Sequence, residues 1–225
     1  MSPADHIAAI ERSLRRRFRV VETSVQVGDR TLNILHPASA EDLISEADFD
    51  RDERLPYWAE LWPSSRVLAE YVSPMTGARR SLLELGCGSG LVATCASLAG
   101  FDVVASDYYA DACLFARVNA RRNGAPSARG LVVDWRALPA ELGRFDVVLA
   151  SDVLYERPYG GLVAQAIAAA LSDDGVAYLA DPGRVGRSEF LGHLARAGLV
   201  VRHSTDLPFT DGVVRQTITL FEIAR

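Results

Sequence analysis

Apolar residues recur at two different spacings along this chain. Near the start, Ile7, Ile10, Leu14 and Phe18 fall three and four apart, which places them on one face of an amphipathic helix. Val20–Val27 and Thr31–Leu35 follow as β-prone runs around Gly28-Asp29-Arg30, the composition of a short hairpin loop. An acidic stretch from Glu41 to Glu53 reads as an exposed helix. From Ser81 onward, short apolar runs alternate with helical patterns. Strands are predicted over Ser81–Leu85, Asp102–Ala105, Gly130–Val133, Phe145–Ala150, Gly175–Ala180, Leu199–His203 and Thr217–Ile223. Helices are predicted over Ser89–Leu98, Ala110–Arg122, Tyr159–Leu171 and Ser188–Ala197, with Asn123-Gly124 closing the second of these. Such alternation implies an α/β fold, with a mostly parallel sheet covered by helices on both faces. Ligands of such sheets bind outside the carboxyl ends of the strands, where strand order reverses.

Composition narrows the class. The chain has 225 residues, 49% apolar and 24% charged, with a net charge of −5. That is enough chain for one well-buried α/β domain, and the acidic balance argues against a general nucleic-acid binder. No apolar run reaches the ~18–20 residues of a membrane span. The start lacks a signal peptide's apolar core, so the expected compartment is the cytoplasm. Cys87, Cys95 and Cys113 form neither a disulfide framework nor a zinc motif. His6, His36, His193 and His203 are scattered without ligand spacing, so no metal is expected. All 24 basic residues are Arg. The cluster Arg12, Arg15, Arg16, Arg17 and Arg19 suits the C-terminal dipole of the first helix, with a patch for an acidic partner as the alternative.

Four places carry candidate chemistry. Glu84-Leu85-Gly86-Cys87-Gly88-Ser89-Gly90 follows a strand and opens a helix. Its glycines let a ligand approach backbone with no Cβ in the way. The spacing is Gly-x-Gly-x-Gly, not the Gly-x-Gly-x-x-Gly of dinucleotide sites. Ser106-Asp107-Tyr108 ends the next strand, where a carboxylate accepts hydrogen bonds from both hydroxyls of a ribose. Asp134-Trp135 ends the third, an acid and an aromatic suited to the amine and ring of an adenine. A loop aromatic covering the core edge is the alternative for Trp135. Ser151-Asp152-Val153-Leu154-Tyr155 ends the fourth, where Asp152 and Tyr155 turn toward the same site or Asp152 caps the following helix.

Together these residues resemble the seven-β-strand, class I S-adenosylmethionine-dependent methyltransferases, in the group called methyltransferase family 16. The resemblance runs from about Leu55 to the end. It rests on Tyr57-Trp58-Ala59-Glu60-Leu61-Trp62-Pro63, on the glycine motif, on Asp134-Trp135, and on Asp152-Val153-Leu154-Tyr155 as an Asp-x-x-Tyr signature. Asp181-Pro182-Gly183-Arg184 looks like a tetrapeptide of the lysine methyltransferases acting on the electron-transfer flavoprotein β subunit. The resemblance implies a Rossmann-like, doubly wound seven-stranded sheet with an antiparallel last strand. It divides the chain into an N-terminal helix and hairpin extension, 1–54, and a methyltransferase core, 55–225. It implies S-adenosylmethionine as cofactor, leaving as S-adenosylhomocysteine. Contacts would come from Trp62, Glu84, Gly86, Cys87, Gly88, Gly90, Asp107, Tyr108, Asp134, Trp135 and Ser151.

Asp152 and Tyr155 would be the catalytic pair, Asp152 orienting an amine and Tyr155 walling its channel. Asp181 reaches the substrate mouth or serves its own turn. The expected reaction is methyl transfer to a lysine of a protein substrate, by a monomer without nucleic-acid or membrane partners. A small-molecule N-methyltransferase is the alternative within the class, with the extension as a lid. A nicotinamide-dependent oxidoreductase and a catalytically silent binding module are the alternatives outside it. No motif identifies Asp48–Arg54 or Leu207–Val213.

Overall fold

A computed structural model describes residues 3–40, 43, 56–125 and 128–225. The acidic stretch, Leu43 apart, and the expected boundary at 54/55 lie outside the described residues. The chain opens with helix α1 (Pro3–Arg17) and a hairpin of β1 (Val20–Val27) and β2 (Arg30–Pro37). A 3-10 turn (Tyr57–Ala59) and helix α2 (Pro63–Val72) lead into the main unit. There β3 (Ser81–Leu85), α3 (Leu91–Leu98), β4 (Asp102–Asp107), α4 (Ala110–Arg122), β5 (Ala128–Val132) and β6 (Phe145–Ser151) follow in turn. Then come α5 (Arg157–Ala170), β7 (Leu171–Asp181), α6 (Arg187–Leu194), β8 (Val200–Asp211) and β9 (Val214–Ala224).

The seven-stranded sheet has the order β5-β4-β3-β6-β7-β9-β8. Strands β3 to β7 pair in parallel, and β9 runs antiparallel between β7 and β8. The expected doubly wound sheet with an antiparallel last strand is therefore present. Successive strand side chains point to opposite faces, and both faces here are apolar. Leu82, Val147 and Leu149 join a core with α2, α3 and the hairpin residues Val25, Val27, Leu32 and Ile34. Leu83, Leu85, Val148 and Ala150 join a second core with α5 and α6. Helix α1 adds a third cluster, in which Leu14, Leu35 and Trp58 meet Ala112, Phe115 and Val118 of α4.

Two expectations need correction. The last two strands are much longer than Leu199–His203 and Thr217–Ile223, because they form one hairpin from Val200 to Ala224. Leu207–Val213 is the tip of that hairpin, with Gly212 at φ +56° in the turn. Most of β8 is exposed, so no alternation of apolar and polar residues marks it. Asp211-Gly212 was the available turn signal.

Buried Asn119 on α4 ties the hairpin to the main unit. It accepts a hydrogen bond from the Leu35 N–H at 2.8 Å. Its amide nitrogen donates to the carbonyls of Leu35 and Ser89, at 2.7 and 2.8 Å. One side chain thus joins β2 to the loop after β3, and so to the ligand side of the sheet.

Candidate active site

Strand order reverses at β3, whose neighbours are β4 on one side and β6 on the other. A cleft of about 960 Å³, open to solvent, lies beyond the carboxyl ends of these strands. The floor is the glycine loop after β3. Gly86 has φ +72°, and a Cβ there would stand 2.9 Å from the Val153 side chain and 3.6 Å from the Trp135 ring. Gly90 also lines the cleft, but its own requirement is structural. At φ +82°, a Cβ on Gly90 would overlap the Ala116 backbone of α4. Cys87 lines the cleft too, its thiol pushed up by the neighbouring Cys113 side chain and by burial.

Three strand ends place carboxyl groups here. Glu84, the fourth residue of β3, is buried, and its Oε2 has no hydrogen-bond partner among the described residues. Burial pushes its carboxyl well above the usual carboxylate range. Asp107 ends β4 and accepts the N–H groups of Gly88 and Tyr109, each at 3.0 Å. Burial nevertheless raises it to about 6, since removal from water outweighs its backbone N–H donors. Asp152 follows β6 directly.

Asp134 and Trp135 behave differently from each other. Asp134 lines the cleft but is paired with Arg136, whose Nη2 lies 2.7 Å from its Oδ2. The Arg136 guanidinium also stands 5.7 Å from the Tyr108 ring centroid, tying Tyr108 to the same wall. Trp135 lies beside Gly86 and meets Tyr159 edge-on at 5.9 Å. Its Nε1 is buried without a partner among the described residues, and its ring both packs on the core and borders the cleft.

Asp152 is in the left-handed region, at φ +58°. That backbone state is uncommon outside glycine and better tolerated by Asp than by most residues. The strand-to-loop turn imposes it, with the Asp152 N–H donating to the Ala180 carbonyl of β7 at 3.0 Å. Its carboxylate accepts the Ser64 hydroxyl at 3.0 Å and Arg184 Nε at 2.5 Å. It does not cap the following helix, whose N-cap is Glu156. Ser151, just before it, also lines the cleft. The Arg184 guanidinium in turn lies 5.0 Å from the centroid of the Trp62 ring, whose Nε1 donates to the Tyr57 carbonyl.

Tyr155 sits in an aromatic stack. It meets Tyr57 at 5.0 Å and Tyr159 at 4.9 Å, both edge-on. Burial raises its hydroxyl far above the usual tyrosine value, so the phenol stays protonated. Asp181 serves its own turn. It is fully buried and accepts the Gly183 N–H and Arg187 Nε, at 2.8 and 2.6 Å.

All thirteen expected site residues border this one cleft. Sequence reasoning assigned no site role to Ser64, Arg184, Tyr57 or Tyr159. Tyr159, four residues after Tyr155, had a usable signal in that spacing. Ser64 had none, being 88 residues from the carboxylate it serves.

A family model described as a methyltransferase domain matches residues 51–207. The electron transfer flavoprotein beta subunit lysine methyltransferase of Danio rerio is 33% identical over 149 residues, covering 64% of this chain and 55% of that protein. The ubiquinone biosynthesis O-methyltransferase of Roseobacter denitrificans is 31% identical over 132 residues, covering 56% and 44%. The chain thus spans about half the length of these curated relatives. Among solved structures, a TehB-like SAM-dependent methyltransferase from Corynebacterium glutamicum superposes with a TM-score of 0.55 at 19% identity, covering 80% of this chain and 93% of that one.

Proposed function

The chain belongs to the methyltransferase-domain family, whose cofactor is S-adenosylmethionine, and we propose that it transfers a methyl group to a lysine side chain of a protein substrate. The observation that carries this reading is Asp152, a buried carboxylate in a strained backbone state, beside the glycine-floored cleft. The lysine methyltransferase named above supports the choice of acceptor.

The cleft fits the cofactor on three counts. Gly86 presents bare backbone to the cleft, where a Cβ would press on Val153 and Trp135. Glu84 and Trp135 each present a buried polar atom without a partner among the described residues. Asp107 stands at the end of β4 with room to accept further hydrogen bonds. When bound, the cofactor supplies a sulfonium methyl group that a nucleophile displaces in line, with a neutral thioether leaving.

In this reading, Asp107 accepts the ribose hydroxyls and Trp135 covers the adenine. Asp134 accepts from the exocyclic amine with the capacity that Arg136 leaves it. Gly86, Cys87, Gly88 and Gly90 line the floor, with Glu84 beneath them. Trp62, Tyr108 and Ser151 complete the walls. Asp152 orients the incoming nitrogen, and Tyr155 keeps water from its path as a neutral phenol. A free lysine has a pKa of about 10.4, so only about one in a few thousand is neutral at pH 7. Leaving water for an aromatic-walled channel lowers that value. The chain's contribution is therefore alignment and dehydration of a neutral amine, not strong acid–base chemistry.

The test incubates the full chain and cell lysate with methyl-labelled S-adenosylmethionine, then separates protein from small molecules. With no lysine in the chain, lysine automethylation contributes nothing. A discrete labelled protein, absent with Asp152→Ala, supports the reading. Label confined to small molecules overturns it in favour of a small-molecule substrate.

A further inference from the structure

Asp152 and Trp62 together make a cation site: a buried carboxylate beside an aromatic face. Both border the cleft, and both are already engaged by a positive charge. Arg184 comes from the turn after β7, outside the residues that line the cleft. Its Nε meets Asp152 at 2.5 Å, and its guanidinium carbon lies 5.0 Å from the Trp62 ring centroid.

The grip on Arg184 is slight for so short a contact. Only Nε touches the carboxylate, where a locked arginine would offer two parallel N–H groups. Its terminal nitrogens meet no hydrogen-bond partner among the described residues, and a third of the side chain is exposed. The neighbouring Arg187 shows the contrast. It binds the fully buried Asp181 through Nε and also donates from Nη2 to the Asp181 carbonyl at 2.8 Å. Asp152 is meanwhile held independently by Ser64 and by its own N–H on Ala180, so it keeps its place when Arg184 leaves.

We propose that Arg184 is a resident, displaceable cation occupying the place where the substrate's cationic side chain docks before methyl transfer. This rests on the methyltransferase reading above and adds a gate to it. The site accepts only groups that compete with a guanidinium for a carboxylate and an indole face: primary ammonium or guanidinium side chains. Neutral hydroxyl acceptors are excluded. Arg184 is a specificity-determining residue whose side chain alone leaves, because its own N–H stays on Asp181 and its carbonyl on the Arg187 N–H.

The test uses the full chain saturated with S-adenosylhomocysteine, and n-butylammonium as a probe with the length and charge of a lysine side chain. Binding is measured by calorimetry for the parent, Arg184→Ala, Arg184→Met and Arg184→Lys. Removing the guanidinium should tighten probe binding at least tenfold in the Ala and Met variants, whereas Arg184→Lys stays near the parent. Adding Asp152→Asn to Arg184→Ala should abolish the gain. Equal probe affinity in parent and Ala and Met variants overturns the proposal, as does a gain that survives Asp152→Asn. Retained S-adenosylhomocysteine binding certifies the fold of each variant. The Met variant keeps the apolar stem over Trp62 if Arg184→Ala unfolds. Loss of S-adenosylhomocysteine binding by the parent itself would instead refute the methyltransferase reading, and the probe series is then read on the free protein.

Discussion

Cofactor affinity should depend on pH through Asp107, with a sign opposite to that of stability. Burial raises this carboxyl from 3.8 to about 6 in the free protein. A group whose folded pKa is raised contributes stability that is complete below its unfolded pKa and lost as pH rises through the folded one. Asp107 therefore favours the free fold below about pH 3.8, and that contribution disappears between about 3.8 and 6. Keeping the group ionised at pH 7 costs the free protein on the order of 3 kcal/mol. The ionised form is also the one that accepts two ribose hydroxyls. If only that form binds, the apparent dissociation constant scales as 1 + 10^(pKa − pH). This predicts about tenfold weaker S-adenosylhomocysteine binding at pH 5 than at pH 7, and little change above pH 7. Calorimetric titration at half-unit steps would measure the profile. Asp107→Asn should flatten it and weaken binding at pH 7 about 10- to 100-fold, the worth of charge-assisted bonds lost. Glu84 is the other buried acid nearby, so Glu84→Gln should leave the step near pH 6 in place. A flat parental profile between pH 5 and 7, or a step removed by Glu84→Gln, would refute the assignment to Asp107.

Three further outcomes follow from particular contacts. Ser64→Ala removes one hydrogen bond to Asp152 and should lower transfer about fivefold, at roughly 1 kcal/mol, with S-adenosylhomocysteine affinity unchanged in calorimetry. Gly90→Ala forces a left-handed alanine into the Ala116 backbone and should cost roughly 2–5 kcal/mol. Gly143→Ala, at φ +79° with nothing within 4 Å of its Cβ, should cost only about 1–2 kcal/mol. Thermal unfolding compares the two, and equal losses would dismiss the packing argument. Asn119→Ala leaves the Leu35 N–H and two carbonyls unpaired and should cost roughly 2–4 kcal/mol, with the N-terminal hairpin becoming protease-sensitive before the sheet does. Unchanged protection of the hairpin would show that its apolar cluster alone holds it.

The parallel strands and the glycine floor of the cleft were legible along the chain. Strands β3 and β6 are apolar on both faces, so short apolar runs between helical patterns were enough to find them. Glycine spacing after β3 and acids at strand ends are local features, legible wherever a parallel strand stops. The tertiary structure alone decided what those residues touch. Ser64 and Arg184 reach Asp152 from 88 and 32 residues away, and no spacing rule encodes such a meeting. Asn119 likewise joins β2 to the glycine loop through bonds spanning 84 and 30 residues. The length of β8 was hidden because most of this edge strand is exposed, with only Leu207 and Phe209 packing on the core, too few to set an alternation along it. Local periodicity follows from which face is buried. The ionic state of a carboxylate follows from whatever long-range packing brings beside it, and only the folded chain supplies that.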